Sequence, residues 1–77
     1  MVGDPITLPS AFRHGMGEED MLHAVEFALY PVVQEDGMVM WIGPNLAGSV
    51  IEVGVIEWHG ELAIAHAMNP ARDKYLR

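Results

Sequence analysis

The chain has 77 residues, of which 51% are hydrophobic and 19% charged, and its 11 acids against 4 Lys and Arg give a formal net charge of −7. That length allows one small domain, which buries only about 60% of its unfolded surface, and the apolar share argues against intrinsic disorder. With no cysteine, disulfides and thiolate metal sites are excluded, and the acidic balance argues against broad, sequence-independent binding to nucleic-acid phosphates.

Residues 1–7 read as an extended lead-in, with Pro5 pushing Asp4 out of the helical region. The stretch MVGDPITLPS lacks a basic region followed by an apolar segment, so no secretory signal is expected. No apolar run approaches the roughly eighteen residues of a membrane span, and the expected location is the cytoplasm.

Thr7 to His14 predicts a short first helix, with Pro9 in its first turn, Leu8 and Phe12 four apart, and Gly15 stopping it. A stronger second helix is predicted from Glu18 to Ala28. Glu18, Glu19 and Asp20 oppose the positive end of its dipole; Met21, Leu22, Val25 and Leu29 form its apolar stripe, and Glu19, His23 and Glu26 its wetter side.

From Tyr30 the period becomes alternating. YPVVQ reads as a strand, with Pro31 placing it at an edge or at the strand's first position, and Asp36-Gly37 signals a hairpin turn. MVMWI, SVIEVGVIE and LAIAHAM follow as strands, separated by GPNLAG and by Trp58-His59-Gly60. Pro70 onward reads as one last helical turn.

The expectation is an α+β domain in which residues 8–77 place two N-terminal helices on a four-stranded antiparallel sheet, with a short C-terminal turn or helix. Ala63, Ala65 and Ala67 would face the helices, and His66 the open side. The exposed sheet edges and small core predict a homodimer or a complex with another small protein.

His14, His23, His59 and His66 lack the spacing of a metal site, so no metal is expected, and no phosphate-cradling loop or nucleophile motif calls for a cofactor. Glu52 lies in an otherwise apolar strand and is expected on a partly wet face. Trp58, in a turn, reads either as an interface aromatic or as packing over the sheet end.

The cations are concentrated at the C-terminal end, as Arg72, Lys74 and Arg77. They serve either to solvate a helix end or to meet an anion, and composition leaves both open. For the second role His66 supplies a proton-transfer group and Arg72, six residues on around a Pro-containing turn, an anion binder.

RHGMGEEDMLHAV, then WIGPNLAGSVIEVGVI, then AIAHAMNPARDKY together resemble the BrnT-type toxins, small members of the RelE-like ribonuclease group. Arg13, His14, Gly15, Ile42, Gly43, Arg72, Lys74 and Tyr75 stand at the matching places, and the likeness covers about residues 8–77. It implies a RelE-like fold and a toxin that cuts RNA without a metal and pairs with a small DNA-binding antitoxin. Carried over, Arg72 binds the scissile phosphate, while His66, Lys74 and Tyr75 transfer or position protons. Where such chains commonly carry Ser-Ala-Arg, this one has His66-Ala67-Met68, so an arginine is lost and a histidine gained. The alternative is a non-catalytic interaction module whose acidic surface and tryptophans bind protein.

Overall fold

Three successive acids open α1 (Glu18–Glu26), the α-helix of the domain, which a computed structural model describes over residues 4–76. Gly17 precedes it in an extended conformation, and Phe27, at φ −106° and ψ 26°, leaves helical geometry and ends it short of Ala28. Met21 and Ala24 are fully buried beneath it. His23, expected on the wet side, instead holds the Pro44 carbonyl through Nδ1 at 2.8 Å, while Asp20 accepts the Leu46 N–H at 2.9 Å. Both bonds fix the helix to the far end of the third strand.

β2 (Tyr30–Val33), β3 (Val39–Pro44), β4 (Val50–Trp58) and β5 (Glu61–Met68) form an antiparallel meander. The layout nevertheless departs from the expected one. The lead-in contributes a further strand, β1 (Ile6–Thr7), parallel to β5, so the sheet is mixed and five-stranded in the order β1-β5-β4-β3-β2.

The expected first helix is only a 3-10 turn, Pro9–Phe12. Its residues are too few, ahead of Gly15 and Gly17, to offset the cost of nucleating an α-helix. The outer edge of β5 offers bonds instead: Leu8 donates its N–H to the Ile64 carbonyl and the Ser10 hydroxyl to the Ala65 carbonyl at 2.7 Å. A two-helix, four-stranded antiparallel fold is therefore ruled out for this chain. The domain is α+β, with one α-helix among the described residues.

The sheet has two unlike faces. On one, α1 covers Ile51, Val53, Val55, Ile64 and Ala67, with Ala11 and half-buried Trp41 at the margin. Gly43 permits the contact: a Cβ there would lie 2.5 Å from the Ala24 carbonyl oxygen and 2.9 Å from the Ala28 Cα. The alanine row does not define this face. A register shift beside Gly54 pairs Val55 with Ile64, leaving Ala65 unpaired, so Ile64 joins Ala67 beneath the helix.

The opposite face carries Met40, Ile42 and Val50, capped by Ala71 and Tyr75 of the returning C-terminal segment. Ala71 donates its N–H to the Val50 carbonyl at 3.0 Å, and a second 3-10 turn, Asp73–Tyr75, completes the cover. Residues 1–3 and Arg77 lie outside the described residues, so the beginning of the expected lead-in and one of the C-terminal cations do too. No described helix is long and apolar enough to cross a membrane.

Candidate functional site

β4 runs through the middle of the sheet, so a side chain halfway along it is covered on whichever face it points to. Glu52 points to the face away from α1, between Ile42 on β3 and Met68 on β5, and beneath the C-terminal segment. Its exposure is 0%. The expected half-wet carboxylate is thus a fully buried one. A charge in that position requires partners, and it has them.

Glu52 Oε1 accepts the Arg72 backbone N–H at 2.7 Å and the Arg72 Nε–H at 3.1 Å. Oε2 accepts Arg72 Nε at 3.0 Å, Arg72 Nη2 at 2.7 Å and His66 Nε2 at 2.8 Å. The chain builds this by bringing β5 alongside β4, which sets His66 opposite Gly54, and then folding back so that Ala71 bonds to Val50 and Arg72 lies over Glu52. Gly54 keeps the spot open, since a Cβ there would meet the Met38 sulfur and come within 3.2 Å of the His66 Cβ.

Burial pushes the Glu52 carboxyl up. The Arg72 side-chain and backbone N–H groups, the His66 bond and the Arg72 charge outweigh it and hold the acid below the ordinary glutamate value. The bond to Glu52 likewise raises the Arg72 guanidinium, against partial desolvation. Glu52 is therefore ionised and accepts only. In a neutral His66 the hydrogen sits on Nε2, and Nδ1 presents the lone pair.

His66 and Arg72 are not enclosed with the acid. Their side chains are 23% and 43% exposed. Arg72 turns its Nε and Nη2 toward Glu52, and no bond to Nη1 is made by the described residues, so the outer edge of the guanidinium faces solvent. The arrangement orients one imidazole through a fixed carboxylate and presents one planar cation beside it. Those are the parts required to move a proton next to a bound anion.

The proposed site residues divide. His66 and Arg72 meet on one oxygen of Glu52. Tyr75 lies beside them with its ring 5.4 Å from the Arg72 guanidinium carbon, but it is a core residue, 5% exposed, whose buried hydroxyl has no partner among the described residues. Exposed Lys74 places its Nζ 5.0 Å from the same ring, outside the Glu52 cluster.

Sequence reasoning missed two members. Glu52 is the one, although a lone acid flanked by apolar residues on both alternating positions (VIEVGV) is the signature of a strand buried on both faces. His14 is the other: its ring stands edge-on to His66 with centroids 5.9 Å apart, brought there as the chain wraps the β5 edge. Fifty-odd residues separate the pair, and no local pattern announces it. His59 is remote, its ring edge-on to Trp58 in the β4–β5 turn, with φ 50°. A shallow hollow at the β2–β3 hairpin, lined by Val33, Gln34, Glu35 and Asp36, lies away from the cluster. Among the described residues no three His, Asp or Glu side chains gather as metal ligands. No family model matches the chain, and neither a curated protein nor a solved structure matches it.

Proposed function

We propose that the chain is an RNA-cleaving toxin of a toxin–antitoxin pair, working in the cytoplasm through His66 and Arg72 as held by Glu52. The observation that carries the reading is the shared carboxylate oxygen: a buried acid binds an imidazole and a guanidinium at once and leaves both partly open to solvent. RNA contains its own nucleophile. His66 Nδ1 takes the 2′-hydroxyl proton, the 2′-oxygen attacks phosphorus, and the outer edge of Arg72 binds the phosphate oxygens as charge builds on them. Glu52 keeps the imidazole in one tautomer and orientation throughout. The likeness of RHG, IG and ARDKY to BrnT-type toxins supports RNA as the substrate and an antitoxin as the partner.

The test uses purified protein and a mixed-sequence RNA oligonucleotide, with products read as 2′,3′-cyclic phosphate and 5′-hydroxyl ends. His66→Ala leaves Arg72 on Glu52, so the fold is retained, and cleavage should fall by about a hundredfold or more. His59→Ala should cut at the wild-type rate, and induced expression of either should track its activity in growth arrest. Wild-type protein that neither cuts RNA nor arrests growth would sink the proposal.

One observation favours a second reading. Arg72 also gives its backbone N–H to Glu52, next to the Ala71 bond to β4, so the ion pair anchors the C-terminal segment as well. On that reading the domain is a non-catalytic protein-binding module and His66→Ala is silent.

A further inference from the structure

The geometry points to His14 as a second catalytic group, the acid that protonates the leaving oxygen opposite His66. This deepens the RNA-cleavage reading and rests on it. Two imidazoles meet edge to face with centroids 5.9 Å apart, close enough for one phosphodiester bound beside the pair to be reached by both. Their surroundings differ in a way that assigns roles. His66 is half-buried and tied through Nε2 to ionised Glu52, which leaves Nδ1 as an acceptor. His14 is exposed, in the segment between the first 3-10 turn and α1, with no carboxylate bonded to it among the described residues, so its ring is open to a substrate oxygen.

The segment that carries His14 is held in place. Ser10 bonds to the Ala65 carbonyl, the carbonyl just before His66, and Gly15, at φ 78°, makes the turn that follows His14. The chain thereby brings a residue from its first quarter to one from its last.

His66 Nδ1 accepts the 2′-hydroxyl proton, and a new bond forms from the 2′-oxygen to phosphorus. The bond from phosphorus to the 5′-oxygen breaks, and protonated His14 gives its proton to that oxygen. The products are a 2′,3′-cyclic phosphate and a 5′-hydroxyl. His66 ends protonated and His14 neutral, and exchange with water resets both. Arg72 remains a cation throughout and neutralises charge on the phosphate oxygens.

A substrate whose scissile 5′-oxygen is replaced by bridging sulfur separates the roles, because a thiolate departs without being protonated. On all-oxygen RNA, His14→Ala and His66→Ala should each be slower than wild type by about a hundredfold or more. On the sulfur-bridged RNA, His14→Ala should recover to within about tenfold of wild type, whereas His66→Ala should stay slow, since the 2′-hydroxyl still needs its base. His14→Ala that cuts all-oxygen RNA at the wild-type rate, or that is equally slow on both substrates with circular dichroism unchanged, overturns the assignment of His14 while leaving RNA cleavage in place. Wild-type protein that cuts neither substrate overturns the cleavage reading and this inference together.

Discussion

The two faces of the sheet are buried by different means. Beneath α1 the buried contact is apolar, with Met21 and Ala24 set against Ile51, Val53 and Val55, and cores of this kind accept apolar substitutions that keep the total volume. On the other face lies Glu52, whose burial as an anion rests on the Arg72 cation, with His66 adding one further bond. The first face is a sum of small contacts that each residue makes for itself. The second is a unit, in which the removal of one member changes what the others require. This is where stability and proposed function meet, because the residues that satisfy the buried acid are those that face solvent.

Arg72→Ala should expose that difference most sharply. It leaves Glu52 buried without its cation, which typically costs about 3–5 kcal/mol. At roughly 0.05–0.15 kcal/mol per residue a domain of this size has only about 4–12 kcal/mol in total. Urea unfolding should show a midpoint shifted far down or no folded baseline. The resemblance implies only phosphate binding for Arg72; the geometry makes it the partner of a buried acid, so His66→Ala is the cleaner probe of the proposed activity. A loss below about 1 kcal/mol would place the pair among ordinary surface ion pairs.

Gly43→Ala probes the apolar face. The added methyl meets the backbone of α1 at Ala24 and that of Ala28 just beyond its end, which no side-chain rotation relieves, and overpacking of that kind costs about 1–3 kcal/mol. RNA cleavage by the folded fraction should not change, since the helix lies on the other side of the sheet from His66. A matching loss of specific activity and stability would show that the two faces are coupled.

Acid should weaken the polar face selectively. The folded-state pKa of Glu52 is lowered, so its stabilising contribution is complete above the unfolded value of about 4.3 and disappears as pH falls through the folded value. Arg72 is raised, so its own contribution is lost only in strong alkali. The midpoint in urea should therefore drop as pH is taken below about 4.3, and Glu52→Gln should flatten that drop relative to wild type. An identical acid profile in the two proteins would show that other carboxylates govern it.

What was legible in the sequence follows the same division. The acids of Glu18 to Asp20 and the alternation after Tyr30 mark α1 and the meander strands because helix and strand periods are local. The two-residue β1 is invisible to periodicity, since it exists only where β5 offers an edge for parallel pairing. Pro9 and Leu8–Phe12 look helical for the same reason that they form a 3-10 turn, and the contacts that decide between them lie at Ile64 and Ala65. Glu52 is the instructive error. Its partners stand 14 and 20 residues away, so local reading sees a partly wet acid where the fold makes a buried one.

The smallest expected effect belongs to Tyr75, and it separates packing from chemistry. Its ring sits between the sheet and the Arg72 guanidinium, at 5.4 Å, and a phenylalanine ring keeps both contacts. The Tyr30 hydroxyl bonds to the Tyr75 backbone carbonyl, which the substitution leaves in place. Only the buried hydroxyl is lost, which has no partner among the described residues. Removing a polar group that has given up water without gaining a partner is neutral or favourable, so Tyr75→Phe should unfold at the same urea concentration or gain up to about 1 kcal/mol. Cleavage should be unchanged, because a hydroxyl sealed in the core cannot reach a substrate proton. A folded Tyr75→Phe protein that has lost more than about tenfold in cleavage would return Tyr75 to the proton-transfer role the toxin resemblance implies, and would require the C-terminal turn to open when RNA binds.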